Sequence, residues 1–360
     1  MSRETTTPPT PVPALSLERL AVPFGAGAGL VDISLLVESN RRLVVIGPSG
    51  AGKTTLLRAI AGLATVREGR VHVAGRDVTE LPPERRAVGY LHQQPVLFEH
   101  LDVGENVAFA LRLRRVPDHA VRAQVADALG AVHLAGFERR APRTLSGGQR
   151  HRVTLARAIA AQPSVLLLDE PLVGLDPSLR DDVRDAIIAA HARTAAAMIV
   201  ATHDLDDAGA LADTVAVLIG GTIVQCAAPA TLFARPASLA VARLLGVYQE
   251  IPGHVQDDGT VASALGVLPN APGVAPRSNV VVAFRRGALA VVREPNGARG
   301  IAAHVIGVRP RAEETTLLVR LAVPGGSPVL EARNESGDAL RPGDACIVAL
   351  DLSAALVFPA

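Results

Sequence analysis

At 360 residues, with a formal net charge of +1 and 20% charged residues, the chain is too evenly balanced to hold nucleic acid by bulk electrostatics. Its length suits about two domains, each able to bury a core, and aromatic residues make up only 2% with no tryptophan at all. Two widely separated cysteines, Cys226 and Cys346, lack metal-ligand spacing and predict free thiols in a reducing compartment.

Residues 1–13 are rich in Thr and Pro and lack an apolar centre, which predicts a disordered tail rather than a signal peptide. No apolar run reaches the roughly 18 to 20 residues that a membrane-spanning helix needs. From residue 14 to about 240, short apolar strands alternate with helical stretches. LSLERLAV and LVDISLLVE read as period-two strands, whereas RLVVIG, SVLLLDE and AAMIVATHD are near-continuous apolar runs, the pattern of parallel strands buried on both faces. KTTLLRAIAGL and GGQRHRVTLARAIAA carry apolar residues at three- and four-residue steps, as helices do. Strand, crossover helix and strand imply an α/β layer fold. The stretch around 102–143 reads as an inserted helical subdomain with the arginine-rich patches RLRR and ERRAPR, a solvated face or a contact for a partner protein. Beyond about 245, NVVVAF, ALAVV, TTLLVRLAV and ACIVALDL are separated by the turn signals PNG, PGGS and RPGD, and predict a small all-β domain over 245–360.

Four segments carry chemistry. The first is GPSGAGKTT, comprising Gly47, Pro48, Ser49, Gly50, Ala51, Gly52, Lys53, Thr54 and Thr55. It follows a predicted strand and opens a predicted helix, the context in which G-x-x-x-x-G-K-[ST] binds phosphate. Glycines let backbone N–H groups curl around phosphate oxygens, the helix N-terminus adds a favourable dipole, and the Thr54 hydroxyl suits Mg²⁺. Lys53 is the only lysine in the chain, and the other basic residues are all arginine. A compact ammonium on a flexible stem can enter such a loop where a rigid guanidinium fork cannot, so the loop demands the one lysine against the bias of the rest.

The second segment is LSGGQ, residues 145–149, a further helix N-terminus with Ser146, Gly147, Gly148 and Gln149 but no lysine. One nucleotide does not need two such sites on one chain, whereas two facing chains do. Third, SVLLLDEP places Asp169 and Glu170 at the end of a buried strand, where open α/β sheets bind ligands. Asp169 is a candidate for holding Mg²⁺, and Glu170 for orienting or deprotonating an attacking water. Fourth, IVATHD ends another apolar strand on His203, which can hydrogen-bond a terminal phosphate and the attacking water.

Over roughly residues 15–240 this set resembles the nucleotide-binding subunit of ABC transporters, a P-loop ATPase fold. The resemblance implies further roles. Gln93 in GYLHQQPVLF matches the glutamine that touches Mg²⁺ and water and links to the transmembrane subunit, and Asp176 in VGLDP matches a loop that reaches across a dimer. Phe24 in VPFGAG falls where the family places an aromatic against adenine, or is simply a core residue. His92 before Gln93, VGLD in place of SALD and Arg150-His151 after the signature depart from the usual pattern without removing a reacting group. The β-rich segment, through AFRRG, VIGVRP and LRPGDACIVALD, resembles the OB-like extension of importer ATPases for sugars, polyamines, ferric iron, molybdate and sulfate.

The resemblance thus implies an ATPase subunit of a bacterial importer. It would work as a homodimer around two Mg-ATP on the cytoplasmic face of the plasma membrane, with transmembrane permease subunits, an extracytoplasmic solute-binding protein and no nucleic-acid partner. The alternatives are a soluble ABC ATPase acting on DNA or ribosomes, and a regulator whose β-domain sequesters a ligand. No residue of the chain names the solute.

Overall fold

The computed structural model describes residues 12–24, 28–246, 248–268, 274–293, 299–310, 315–323, 328–350 and 355–360. The predicted tail up to residue 11 and the turn signals PNG and PGGS lie outside them. The described chain divides into two compact units, on either side of the Leu232–Phe233 bond.

The first unit opens with β1 (Leu15–Phe24) and β2 (Ala28–Val37), an antiparallel pair. Both were expected to alternate strictly, and both break step. Glu18 and Arg19 are exposed in succession on β1, as are Val31 and Asp32 on β2. The cause is a pair of irregularities, with Arg19 at φ 43° and Asp32 at φ 53°, which insert residues into the ladder and restore Leu20, Val22, Ile33 and Leu35 to the buried face.

β3 (Arg42–Ile46) leads through a glycine-rich loop into α1 (Lys53–Ala61), which stops at Gly62 in the left-handed conformation. β4 (Glu68–Val73) and β5 (Arg76–Asp77) complete a four-stranded sheet in the order β2-β1-β4-β5. β6 (Val88–Leu91) is followed by a helical stretch: α2 (Val103–Leu113), α3 (Asp118–Ala131) and α4 (Gly147–Ala160), with α4 packed on both of the others. Asp102 and Glu105 close a capping box at the start of α2. Then come β7 (Val165–Asp169), α5 (Pro177–Ala192), β8 (Ala197–Thr202), α6 (Leu205–Leu211), β9 (Thr214–Ile219) and β10 (Thr222–Ala227).

The second sheet has the order β10-β9-β3-β8-β7-β6, parallel except for the antiparallel β10. Every residue of β7 and β8 is buried, as their unbroken apolar sequences predict. Burying each Leu, Val or Ile of these strands contributes about 1.5–3 kcal/mol, which makes them the anchor for what their ends carry. The pairings Ile46↔Thr202, Ala201↔Asp169 and Leu168↔Leu91 bring the C-terminal ends of β3, β8, β7 and β6 to one edge of the sheet.

Among the described residues the second unit is mostly β, with one short helix at Leu239–Leu244 and a helical turn at Arg286–Ala288. The strand Tyr248–Val255 pairs antiparallel with Asn279–Arg285 in a five-stranded sheet. A closed barrel is formed by Leu289–Val292, Val329–Asn334, Thr315–Leu321, Arg299–Pro310 and Ala345–Leu350 in that spatial order, with the first pair parallel. One apolar cluster around Phe284, Leu289, Val319 and Val348 serves both layers.

Candidate active site

The edge formed by the ends of β3, β6, β7 and β8 gathers most of the residues singled out in the sequence. Gly47 follows β3 and is buried, because a side chain there has no room: a Cβ would lie 2.2 Å from the carbonyl oxygen of Leu218 on β9. Gly50 and Gly52 take φ of 80° and 105°, values that L side chains avoid. Pro48, Ser49 and Gly50 are exposed, Ala51 is buried and donates its N–H to the Pro48 carbonyl, and Gly52 caps α1 with no side-chain bond. The backbone N–H groups of Ser49, Gly50 and Gly52 donate to no partner among the described contacts. Thr55 is half-buried on the first turn.

Lys53 folds back into this loop. Its Nζ donates to the carbonyls of Gly47 at 2.8 Å and Pro48 at 3.3 Å, and lies 3.9 Å from Glu170 Oε1. Burial pushes the ammonium below its ordinary range, and the carboxylates of Glu170 and Asp169 work against that shift. The Thr54 hydroxyl donates to Asp169 Oδ1 at 2.9 Å. Asp169 is 5% exposed, and its other oxygen accepts from the Tyr90 hydroxyl at 2.9 Å. Burial and this carboxylate together push the Tyr90 phenol upward.

Glu170 sits one residue past β7 at φ 49°, an unfavourable region for a residue with a side chain, while its N–H bonds the Ala201 carbonyl at 2.9 Å. Its Oε2 meets His203 Nδ1 at 2.8 Å. A single carboxylate therefore faces the ammonium on one oxygen and an imidazole on the other.

Gln93 is exposed just past β6 and lines a 930 Å³ cleft with Thr54, Tyr90, His92, Phe98 and Asp169. The segment after it is tied to α4, since Arg157 donates to the Val96 carbonyl at 2.9 Å and Arg150 pairs with Glu99 at 2.8 Å. Asp176 stands exposed as the cap residue of α5, its side chain making no cap bond. The Phe24 side chain lies outside those described.

Ser146, Gly147, Gly148 and Gln149 form the N-terminus of α4 on the same unit, yet among the described residues no hydrogen bond or ion pair joins them to the Lys53 loop. Ser146 and Gly147 are exposed, with open space where a Gly147 side chain would stand, whereas Gly148 packs on Leu179. Gln149 turns back to close a capping box with Ser146.

Two groups escape sequence reasoning. One is Tyr90, whose only signal is its place on the strand beside β7. The other is Arg180, which binds Asp204 at 2.6 Å and Asp207 at 2.5 Å and so clamps the start of α5 to the turn after His203. Its partners lie 24 and 27 residues away, beyond any local pattern.

The ABC transporter family model matches residues 30–173, which include the Lys53 loop, the LSGGQ segment and Asp169-Glu170. The spermidine/putrescine import ATP-binding protein of Rubrobacter xylanophilus is 39% identical over 96% of this chain and 93% of its own length. The sulfate/thiosulfate import ATP-binding proteins of Xylella fastidiosa and Nocardia farcinica are 43% and 41% identical, over 68% and 64% of this chain and 72% and 70% of theirs. The chain belongs to the ABC transporter family, as an ATP-hydrolysing subunit of the importer type.

Proposed function

We propose that two copies of this chain close around two Mg-ATP and drive a separate permease that imports a small charged solute. The observation that carries the reading is the chain of contacts Lys53–Glu170–His203 beside Thr54–Asp169, held at the C-terminal edge of a parallel sheet. The N–H groups of Ser49, Gly50 and Gly52, with the Lys53 ammonium, suit the phosphates of ATP, and Phe24 is the candidate to stack on its adenine. Thr54 and Asp169 offer hard oxygens 2.9 Å apart, and Gln93 shares their cleft. Among the described residues no three His, Cys, Asp or Glu side chains cluster tightly enough to hold a metal by themselves. That suits Mg²⁺, which is commonly held by one or two protein groups together with water and phosphate oxygens. When bound there, Mg²⁺ would draw charge from the phosphate oxygens.

In this reading Lys53 leaves the Gly47 and Pro48 carbonyls for the β- and γ-phosphates. Its departure frees Glu170 to orient and deprotonate water, and His203 keeps that carboxylate in place while reaching the terminal phosphate. Ser146, Gly147, Gly148 and Gln149 of one copy face the Lys53 loop of the other, and Asp176 reaches across the same interface. The exposure of Ser146, Gly147 and Asp176, and the lack of contact between the two segments among the described residues, support this division.

The permease would dock at the cleft that holds Gln93, placing the ATPase at the cytoplasmic face of the membrane; no helix among the described residues is long and apolar enough to cross it. An extracytoplasmic binding protein would deliver the solute. The solute classes named for the relatives, polyamine and sulfate or thiosulfate, are the two candidates, and the polyamine relative aligns through the β-rich unit as well. The test is capture of tagged Glu170→Gln chain from native membranes with ATP and Mg²⁺. A multi-spanning permease should co-purify and identify the solute branch. Ribosomal or DNA-repair proteins in its place would overturn the importer reading.

A further inference from the structure

The hydroxyl of Tyr90 is not used by the scheme above, yet it touches the carboxylate on which that scheme depends. Asp169 ends a strand buried at every position and is itself almost fully enclosed. Its two oxygens have separate donors: Thr54 Oγ1 holds Oδ1 and Tyr90 Oη holds Oδ2, each at 2.9 Å. Tyr90 reaches it because β6 runs parallel beside β7, with Tyr90 opposite Leu167. The ring is steadied by an edge-on contact with His92, the centroids 4.4 Å apart and the planes at 88°.

We infer that Tyr90 is a positioning residue for metal binding, one that fixes the carboxylate plane of Asp169 so that a single oxygen, Oδ1, is presented with Thr54 toward the divalent cation. This rests on the assignment of Mg²⁺ to Thr54 and Asp169. The asymmetry between the two donors is the argument. Thr54 lies at the end of the phosphate loop, and its hydroxyl would give up its bond to Oδ1 if it served a bound metal. Tyr90 lies on the sheet, outside that loop, and can keep its bond throughout. A carboxylate held on one oxygen has less freedom to swing and offers its other oxygen more readily to a cation, and outer hydrogen bonds of this kind tune metal affinity by about 10- to 100-fold.

Tyr90→Phe keeps the ring and its contact with His92 but removes the donor. The measurement is binding of a fluorescent ATP analogue to the purified full chain as Mg²⁺ is titrated, alongside binding of the same analogue in EDTA. The expected result is a rise of about tenfold in the Mg²⁺ concentration giving half-maximal enhancement, with metal-free binding unchanged. Tyr90→Met, which also lacks the hydroxyl, should behave alike if the Phe variant folds poorly. An unchanged Mg²⁺ midpoint in well-folded variants would overturn the inference, and so would an equal loss of binding in EDTA, which would mark Tyr90 as a packing residue. A wild-type chain whose binding ignores Mg²⁺ would instead remove the metal assignment, and this inference with it.

Discussion

Two helix N-termini in the first unit resemble each other in sequence and differ in construction. At α1 the cap is Gly52, without a side-chain bond, and a lysine turns inward onto its own loop carbonyls. At α4 the cap is Ser146, and a complete capping box uses the backbone N–H groups of Ser146 and Gln149, each donating to the other's side-chain oxygen. The first has an ammonium satisfied only by its own loop carbonyls and by Glu170, beside the N–H groups of Ser49, Gly50 and Gly52 that have no partner among the described contacts. The second is stable by itself and presents its exposed Ser146 and Gly147 outward. A helix dipole favours anions at both ends, so the dipole cannot be what separates them. The difference lies in which groups the local sequence leaves unpaired, and the proposed two-chain reading rests on it: one loop to grip a nucleotide, the other to arrive from a second chain.

Several substitutions break or sharpen this contrast. The largest effect is expected for Glu170→Gln. Turnover should fall roughly 10²- to 10⁴-fold, as for loss of a positioned base, while nucleotide affinity is retained; a phosphate-release assay beside equilibrium binding separates the two. Lys53→Arg should come next. The guanidinium cannot replace an ammonium that fits between the Gly47 and Pro48 carbonyls, and losing a charged hydrogen bond of about 1.5–3 kcal/mol weakens ATP binding by roughly 10- to 100-fold. Equal affinity in calorimetry would show that the single lysine has no special role. Gly47→Ala forces a methyl toward the Leu218 carbonyl and should cost about 1–3 kcal/mol of stability, read as a lower denaturation midpoint. The smallest effect belongs to Ser146→Ala, which removes a cap worth about 1 kcal/mol. It should leave nucleotide binding by a single chain intact while lowering turnover, and a loss of binding would tie the two loops together within one chain.

Much of this edge was legible in the sequence because phosphate chemistry imposes short, fixed spacings. Gly47 to Thr54, Ser146 to Gln149 and Asp169-Glu170 each occupy a few consecutive residues, and the apolar runs before them announce buried strands. The second unit was legible only as β-rich, since closure of a barrel through a parallel pairing of Leu289–Val292 with Val329–Asn334 leaves no local signature. The bulges at Arg19 and Asp32 were hidden behind a plausible alternation. Tyr90 and Arg180 were invisible for the same reason: each works through a neighbouring element whose proximity only the folded sheet defines.

The central claim, that a working site takes its Lys53 loop from one chain and its Ser146 segment from another, has a direct test in mixed pairs. Chains carrying Lys53→Arg and chains carrying Ser146→Arg are made separately, then co-expressed and purified as pairs bearing one of each tag. A mixed pair holds one site with both loops intact, so ATP turnover should return well above that of either variant alone. Turnover no higher than the sum of the separate variants would mean that each chain uses its own two loops, and would contradict the account.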